Sequence, residues 1–289
     1  MLYKVPDRFS PGGAEFSLVK CKECGLVYVN PRPTADVIGK YYPDEYYGLE
    51  VLHEGGLQQS LKYLERRRLS DIEKFVPRGC ILDMGCGAGQ FLAEAKAKGW
   101  TTLGIEISAL AAEHACRQYG LEVIQKDLLS ADLPGEHFDV ITMWGVLEHL
   151  YSPTKALKEI YRMLKPGGLF VALVPNINST QARIFGPRWQ LLDVPRHLYH
   201  FSESTLKRMA REAGFAPAWT RYFAREQDVS QFLQTMKVIL QPEGKKKWTL
   251  RRILMAVARR SALVIAKLMA LRRSSATIEA YFIKPKHIS

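Results

Sequence analysis

The sequence predicts an α/β fold, a mostly parallel sheet with helices on both faces, and three observations carry that prediction. From residue 80 onward, short apolar runs alternate with amphipathic stretches of helical period, the pattern of parallel strands joined by crossover helices. The first of these runs turns through three alternate glycines, Gly85, Gly87 and Gly89, directly into an amphipathic stretch. Acids also fall at the ends of successive strands, Asp83, Glu106 and Asp127, where such sheets bind their ligands.

Taken in order, residues 57–75 read as a helix, with Leu57, Leu61, Leu64, Ile72 and Phe75 interspersed with Arg66-Arg67-Arg68, a solvated basic face. Cys80-Ile81-Leu82-Asp83 opens the sheet, and residues 88–98 form a helix ended by Gly99. Residues 101–107 make the second strand, 109–119 a helix, 121–125 a short third strand and 138–143 the fourth. A helix at 153–164, a Lys165-Pro166-Gly167-Gly168 turn and a fifth strand at 169–174 follow. Residues 202–213 are helical, and 215–223 and 277–283 have the character of two last strands, with 226–274 inserted between them.

The glycine turn is an arrangement that brings backbone close to a ligand and aims helix N–H groups at it. Its neighbours narrow the ligand. A pyrophosphate would be repelled by Asp83, two residues before the first glycine, whereas an amino group would not. The third glycine also comes one residue early for a dinucleotide turn, whose last glycine position is Gln90 here. Glu106, 23 residues after Asp83, is placed to accept from both hydroxyls of a ribose, and Asp127 from an exocyclic adenine amine. An acidic rim suits a cationic sulfonium, so the residues point to S-adenosylmethionine rather than a nicotinamide dinucleotide.

Asp83-x-Gly85-x-Gly87-x-Gly89, Glu106, Asp127, Phe138-Asp139-Val140 through Leu147-Glu148-His149, and Leu164-Lys165-Pro166-Gly167-Gly168 together resemble class I S-adenosylmethionine-dependent methyltransferases. The likeness is greatest to the branch of 3-demethylubiquinone-type and sugar-pathway O-methyltransferases, and it covers about residues 76–225 plus the last strand. It implies a Rossmann-like seven-stranded sheet whose last strand is antiparallel. It also implies that Asp83, Gly85 and Gly87 face the methionine part, Glu106 the ribose and Asp127 the adenine. Cys86, Gly89, Ile107, Leu128 and Trp144 complete the expected cofactor set, with S-adenosyl-L-homocysteine as product.

Before the sheet, Cys21-x-x-Cys24-Gly25 lies between two β-like runs of residues 16–33. This is half of the four-ligand set a structural zinc needs, and the reading is a metal-free hairpin. By the resemblance it is similar to a ribbon that precedes some family members, which often carry two cysteine pairs. Four tyrosines within residues 41–47 read as packing of a lid or as a cavity wall, with Tyr46 and Tyr47 as acceptor-binding candidates. The expected organisation is therefore a half-ribbon at 1–40, a lid or connector at 41–75, the catalytic core at 76–225, an insert at 226–274 and a final strand and tail at 275–289.

Methyl transfer is an in-line displacement at a carbon activated by a sulfonium, so the protein has to align the acceptor and sometimes remove a proton. Candidate bases are His149, beside Glu148 after the fourth strand, and His197 and His200 in the dense patch Asp193–His200, with His197 favoured over His149. Arg196 could hold an acidic group of the acceptor, and Trp189 and Tyr199 line the expected acceptor loop. No Asn/Asp-Pro-Pro-Tyr/Phe-like turn follows the fourth strand, which disfavours amino methylation of a nucleobase, and no Pro-Cys pair supports cytosine C5 chemistry.

The formal charge is +12, but residues 245–289 hold 12 of the 41 Lys+Arg and one of the 29 acids, leaving 29 against 28 in the rest. The basicity belongs to one segment. Within 248–273, Leu250, Leu254, Val257, Val264, Leu268 and Leu271, with Ser261 in the seam, share one helical face; Arg251, Arg252, Arg259, Arg260 and Lys267 lie on the flank and back. Arg259-Arg260 interrupts any membrane span. Three readings stay open: a helix packed on the domain, an interfacial helix on an anionic membrane, and a nucleic-acid arm, the last disfavoured by the apolar seam. Five irregularly spaced cysteines and a start without an apolar run predict a cytoplasmic protein, peripheral to a membrane if the seam meets lipid. The leading expectation is an O-directed methyltransferase of a small-molecule, sugar or lipid-linked hydroxyl acceptor. An RNA methyltransferase is the competing enzyme, and a cofactor-binding scaffold without transfer activity is the non-enzyme alternative.

Overall fold

The computed structural model describes residues 1–9, 13–42, 55–222, 229, 232–236 and 246–286; Tyr46 and Tyr47 lie outside the described residues. The chain condenses into two compact units that do not follow chain order. One comprises Met1–Tyr41, Val174–Thr205 and Arg221–Glu279; the other Tyr42–Leu173, Leu206–Thr220 and Ala280–Ser289.

The first unit holds a four-stranded antiparallel sheet in the order β1-β2-β3-β9, with β1 Tyr3–Pro6, β2 Glu15–Lys20, β3 Val27–Val29 and β9 Tyr199–His200. Alternation places Phe16 and Leu18 of β2 on the buried face, where Val5, Val27, Val29, Trp189, Leu192 and Val194 join them. The expected hairpin is present as β2 and β3, with Leu18 opposite Val29. The sequence pattern missed both outer strands. β9 is two residues long and falls inside the patch expected to be an acceptor loop, pairing Val27 with His200. Among the described residues this unit also carries helices α5 (Thr180–Phe185) and α7 (Lys246–Leu271), and α6 (Glu203–Glu212), the helix expected at 202–213, follows β9 in the chain.

The seven-stranded sheet runs β10-β11-β8-β7-β4-β5-β6. Its strands are β4 Cys80–Met84, β5 Thr101–Ile105, β6 Val123–Ile124, β7 Phe138–Trp144, β8 Leu164–Pro175, β10 Ala216–Arg221 and β11 Thr277–Ile283. Strands β4, β5, β6, β7 and β8 are parallel. The last strand returns antiparallel, since Gly167 N–H donates to Lys284 O and Lys284 N–H to Gly168 O. That pairing also draws the expected Lys165–Gly168 turn into β8. Ile81, Leu82, Asp83 and Met84 of β4 are all buried, as befits a central parallel strand covered on both faces.

Helices α1 (Gly55–Ile72), α2 (Gln90–Ala97), α3 (Ala109–Tyr119) and α4 (Pro153–Met163) cover the sheet. In α4 the buried positions Pro153, Ala156, Leu157, Ile160 and Met163 recur at helical spacing, with proline at the start, where its missing N–H costs nothing. Ser108 caps α3 and Gly120 ends it in the left-handed conformation. Phe91, Leu92, Trp100, Val140, Leu169 and Val171 fill the core, and the Phe75 and Trp219 rings pack on Tyr281 at 5.5 and 5.0 Å. This core fixes the carboxyl ends of β4, β5 and β7, from which the site is built.

Candidate cofactor-binding site

The turn after β4 is closed by its neighbour strand, because Gly85 and Cys86 both donate N–H groups to Ile105 O at 2.8 and 3.0 Å. Gly85, Gly87 and Gly89 all have positive φ. A Cβ at Gly85 would meet Val146 at 2.6 Å and one at Gly89 would meet Leu121 at 2.6 Å, whereas at Gly87 nothing lies within 4 Å. Two glycines are therefore required by packing against the protein, and the third leaves the backbone facing open space. Cys86 is buried, and burial with the nearby Asp83 and Glu106 charges pushes its thiol well above the usual range, which makes it a packing residue rather than a nucleophile.

Glu106 follows β5 and is buried. Its Oε2 accepts from Gly87 N–H and its Oε1 from Ser108 N–H, each at 2.8 Å. One carboxylate thus ties the glycine turn to the start of α3 and retains acceptor capacity, since it offers about four lone-pair positions. Ile107 beside it is 66% exposed. Asp127 is exposed and caps a short helical turn, accepting from Leu129 N–H at 3.0 Å; the side chain of Leu128 lies outside the described residues.

Asp83 sits beneath the turn, fully buried, and accepts from Thr142 Oγ1 at 2.7 Å. Burial pushes its carboxyl up to about 8; the Thr142 bond and the Arg68 charge oppose the shift, and Glu65 and Glu106 add to it. The sequence reading placed an anion here. The structure places a fully buried carboxyl there, whose burial favours the protonated form.

Arg66-Arg67-Arg68 is not a uniform solvated face. Arg66 is exposed and bonds Glu94 at 2.9 Å, and Arg67 bonds Asp71. Arg68 is buried, its Nη1 donates to both carboxylate oxygens of Glu65 at 3.0 and 2.9 Å, and its guanidinium lies 3.9 Å from the centre of the Trp144 ring. Trp144 packs edge-on against Phe91, and its buried Nε1–H has no partner among the described residues. Helical phase held the missed signal: Glu65, Arg68 and Ile72 share one side of α1, and Ile72 is a core position.

His149 ends a short helical turn after β7, with its Nδ1 3.0 Å from the hydroxyl of Tyr42. Tyr42 is a partner the sequence reading did not name. Glu148 is buried.

The Asp193–His200 patch, in the other unit, differs from expectation. Arg196 is fully buried and donates to Asp193, Asp7, Tyr41 O and Val194 O. An acidic acceptor cannot reach it, because its guanidinium is committed to internal anions. Trp189 is a core residue, 2% exposed. His200 is buried in β9, and desolvation pushes its imidazole down to about 3, so it is no base at neutral pH. Tyr199 accepts from Arg32 at 2.9 Å. His197 is buried, with Nδ1 2.9 Å from Leu191 O and Nε2 3.8 Å from Asp193 Oδ2; a carbonyl only accepts, so Nδ1 carries the proton. Cys21 and Cys24 lie in the β2–β3 turn, where N–H groups of Cys24 and Glu23 and the Cys24 side chain hold the Cys21 thiol below its ordinary value.

Comparison with known proteins defines the class. Residues 58–218 match the family model described as a methyltransferase domain, which is more than half of the chain, and the protein belongs to that family. A ubiquinone biosynthesis O-methyltransferase of Methylococcus capsulatus is 37% identical over 148 residues, covering 46% of this chain and 61% of the relative. Its counterpart in Pseudomonas putida is 32% identical over 183 residues, covering 54% and 78%. The first of these alignments thus spans about three fifths of the relative's length. A SAM-dependent methyltransferase from Archaeoglobus fulgidus superimposes with a TM-score of 0.55 at 19% identity, over 82% of this chain and 100% of that one, which extends the likeness in fold. S-adenosylmethionine is the cofactor of this class. The turn fits it: the backbone at Gly87 faces open space, and the Glu106 carboxylate that accepts its N–H keeps capacity for a further hydrogen bond.

Proposed function

We propose that the protein is an S-adenosylmethionine-dependent methyltransferase that methylates a hydroxyl group. The observation that carries this reading is the Glu106–Gly87 bond. It holds a ribose-binding carboxylate and an open glycine backbone together at the carboxyl ends of β4 and β5. Glu106 accepts from the ribose, Asp127 from the adenine amine, and the Gly85–Gly87 backbone borders the methionine part. Asp83 faces the ammonium of the amino-acid part. Bound cofactor supplies a methyl group on a sulfonium, which needs an aligned nucleophile more than it needs activation.

His149 takes the acceptor proton. It stands in the same unit as the glycine turn. When its Nδ1–H donates to the Tyr42 oxygen, Nε2 is left as the accepting atom. The names of the aligned relatives, ubiquinone biosynthesis O-methyltransferases, support a hydroxylated small molecule as acceptor.

Calorimetry with S-adenosylmethionine and transfer of labelled methyl to hydroxylated small molecules test the reading. Failure to bind the cofactor overturns it. His149→Ala should lower turnover by about 10²- to 10⁴-fold, the usual contribution of a general base, with cofactor affinity unchanged. A loss of turnover in His197→Ala instead moves the base to His197.

A further inference from the structure

Helix α7 buries the face that its sequence ranks second. Ala258, Ala262, Ala266 and Met269 are buried, whereas Leu254, Val257, Val264, Leu268 and Leu271 stand between 38% and 83% exposed. These five recur at three-, four- and seven-residue intervals, so they form one stripe about 25 Å long at 1.5 Å per residue. Ser261 is the polar residue within the stripe, and its hydroxyl donates back to Val257 O at 2.9 Å, which removes its need for water. A continuous apolar stripe of this size marks an interaction surface rather than scattered exposure.

Charge selects the partner. Residues 245–273 contain ten Lys and Arg and no acid, and Lys267, Arg272 and Arg273 are exposed on α7 and just beyond it. A second copy of the same helix would bring like charges together. A nucleic acid would use the charge but leave the leucines in water. No helix among the described residues is long and apolar enough to cross a membrane. We infer that α7 lies on an anionic lipid bilayer, its Leu254–Leu271 stripe entering the headgroup–acyl boundary and its basic residues meeting lipid phosphates. The inference stands apart from the methyl-transfer reading, because it uses none of the cofactor-site residues. If both hold, the acceptor is met at the membrane surface.

The test is flotation of the full chain with vesicles of phosphatidylcholine alone or with added phosphatidylglycerol. Wild type should float with the anionic vesicles and at least tenfold less with the neutral ones. Val264→Glu with Leu268→Glu should lower anionic partitioning at least tenfold, and Lys267→Glu with Arg272→Glu should abolish the preference for phosphatidylglycerol. Because all four positions are exposed, the variants should keep the wild-type melting temperature and cofactor affinity; a large fall in melting temperature means the stripe is packed in solution and overturns the inference. Undiminished flotation of the glutamate variants also overturns it. So does a concentration-dependent dimer, seen by light scattering, that Val264→Glu abolishes, or an RNA shift that replaces vesicle binding.

Discussion

Asp83 and Asp193 are both buried aspartates, one in each unit, and their surroundings drive them in opposite directions. Burial disfavours the charge at both. At Asp193 the charges of His197 and Arg8 and the bonds from Arg196 overcome that cost and hold the carboxyl well below the usual range. At Asp83 one hydroxyl bond and the more distant Arg68 do not, with two further carboxylates nearby, and the group rises to about 8. Asp193 is a finished electrostatic structure: Arg8 reaches it at 2.6 Å and Arg196 at 2.7 Å. Asp83 is under-compensated within its own protein, and a cationic ligand is what would complete it.

The strongest way to break this contrast is Arg196→Met. It leaves Asp7 and Asp193 buried without their shared cation, and losing one partner of such a cluster costs about 3–5 kcal/mol. Denaturant unfolding should show a loss of that size. A loss below about 1 kcal/mol would mean that Asp193 is not held by Arg196.

Asp83→Asn is the next test and the more informative one. A carboxyl whose folded pKa lies above its unfolded value of 3.8 binds its proton more tightly when folded, so free-protein stability falls as pH rises from about 4 to about 8. Asp193 has the opposite sign: its stabilising contribution is present above the unfolded pKa and is lost only as pH falls through the lowered folded value. Melting temperature against pH in cofactor-free protein should therefore flatten between pH 5 and 8 in Asp83→Asn, and the variant should be the more stable at pH 8. Its affinity for S-adenosylmethionine should fall on the order of tenfold, the loss of a charge-assisted bond. Wild-type affinity should rise with pH toward 8, since the cofactor's ammonium favours the ionised carboxyl. An unaltered affinity in Asp83→Asn would remove the ammonium role.

Why the position of one aspartate at a strand end could be read from sequence and the partners of the other could not follows from what surrounds each. The sheet, the glycine turn and the three strand-end acids are local patterns. Strand, turn and helix follow one another within about a dozen residues, and each carries its own periodicity. The Asp193–His200 patch is decided by contacts that sequence spacing does not carry. Asp7 lies 189 residues from the Arg196 it pairs with, and β9 exists because β3 offers it an edge. Arg, His and Trp read as acceptor chemistry in a loop and as core in a packed cluster. Which face of helix α7 is buried stayed open in the sequence for a different reason. Size-weighted hydrophobicity ranks leucine above alanine, but a closely packed surface admits Ala258, Ala262 and Ala266 and leaves the larger side chains outside.

The smallest expected effect on stability separates the glycines that serve the fold from the one that faces open space. Gly89→Ala would drive its Cβ to 2.8 Å from the Ala115 Cβ and 2.6 Å from Leu121, at φ +87, so overpacking adds to backbone strain and the cost should reach about 1–3 kcal/mol beyond the strain itself. Gly87→Ala meets nothing within 4 Å and has only its φ of +54 to disfavour it, about 1 kcal/mol. If the open space at Gly87 is where the cofactor lies, affinity should show the reverse order relative to stability: Gly87→Ala should weaken S-adenosylmethionine binding by more than its loss in melting temperature accounts for. Calorimetry and thermal melts on the two variants read both quantities. Wild-type cofactor affinity in Gly87→Ala would mean that the backbone there borders solvent and not ligand, and that Asp83 looks to some other cation.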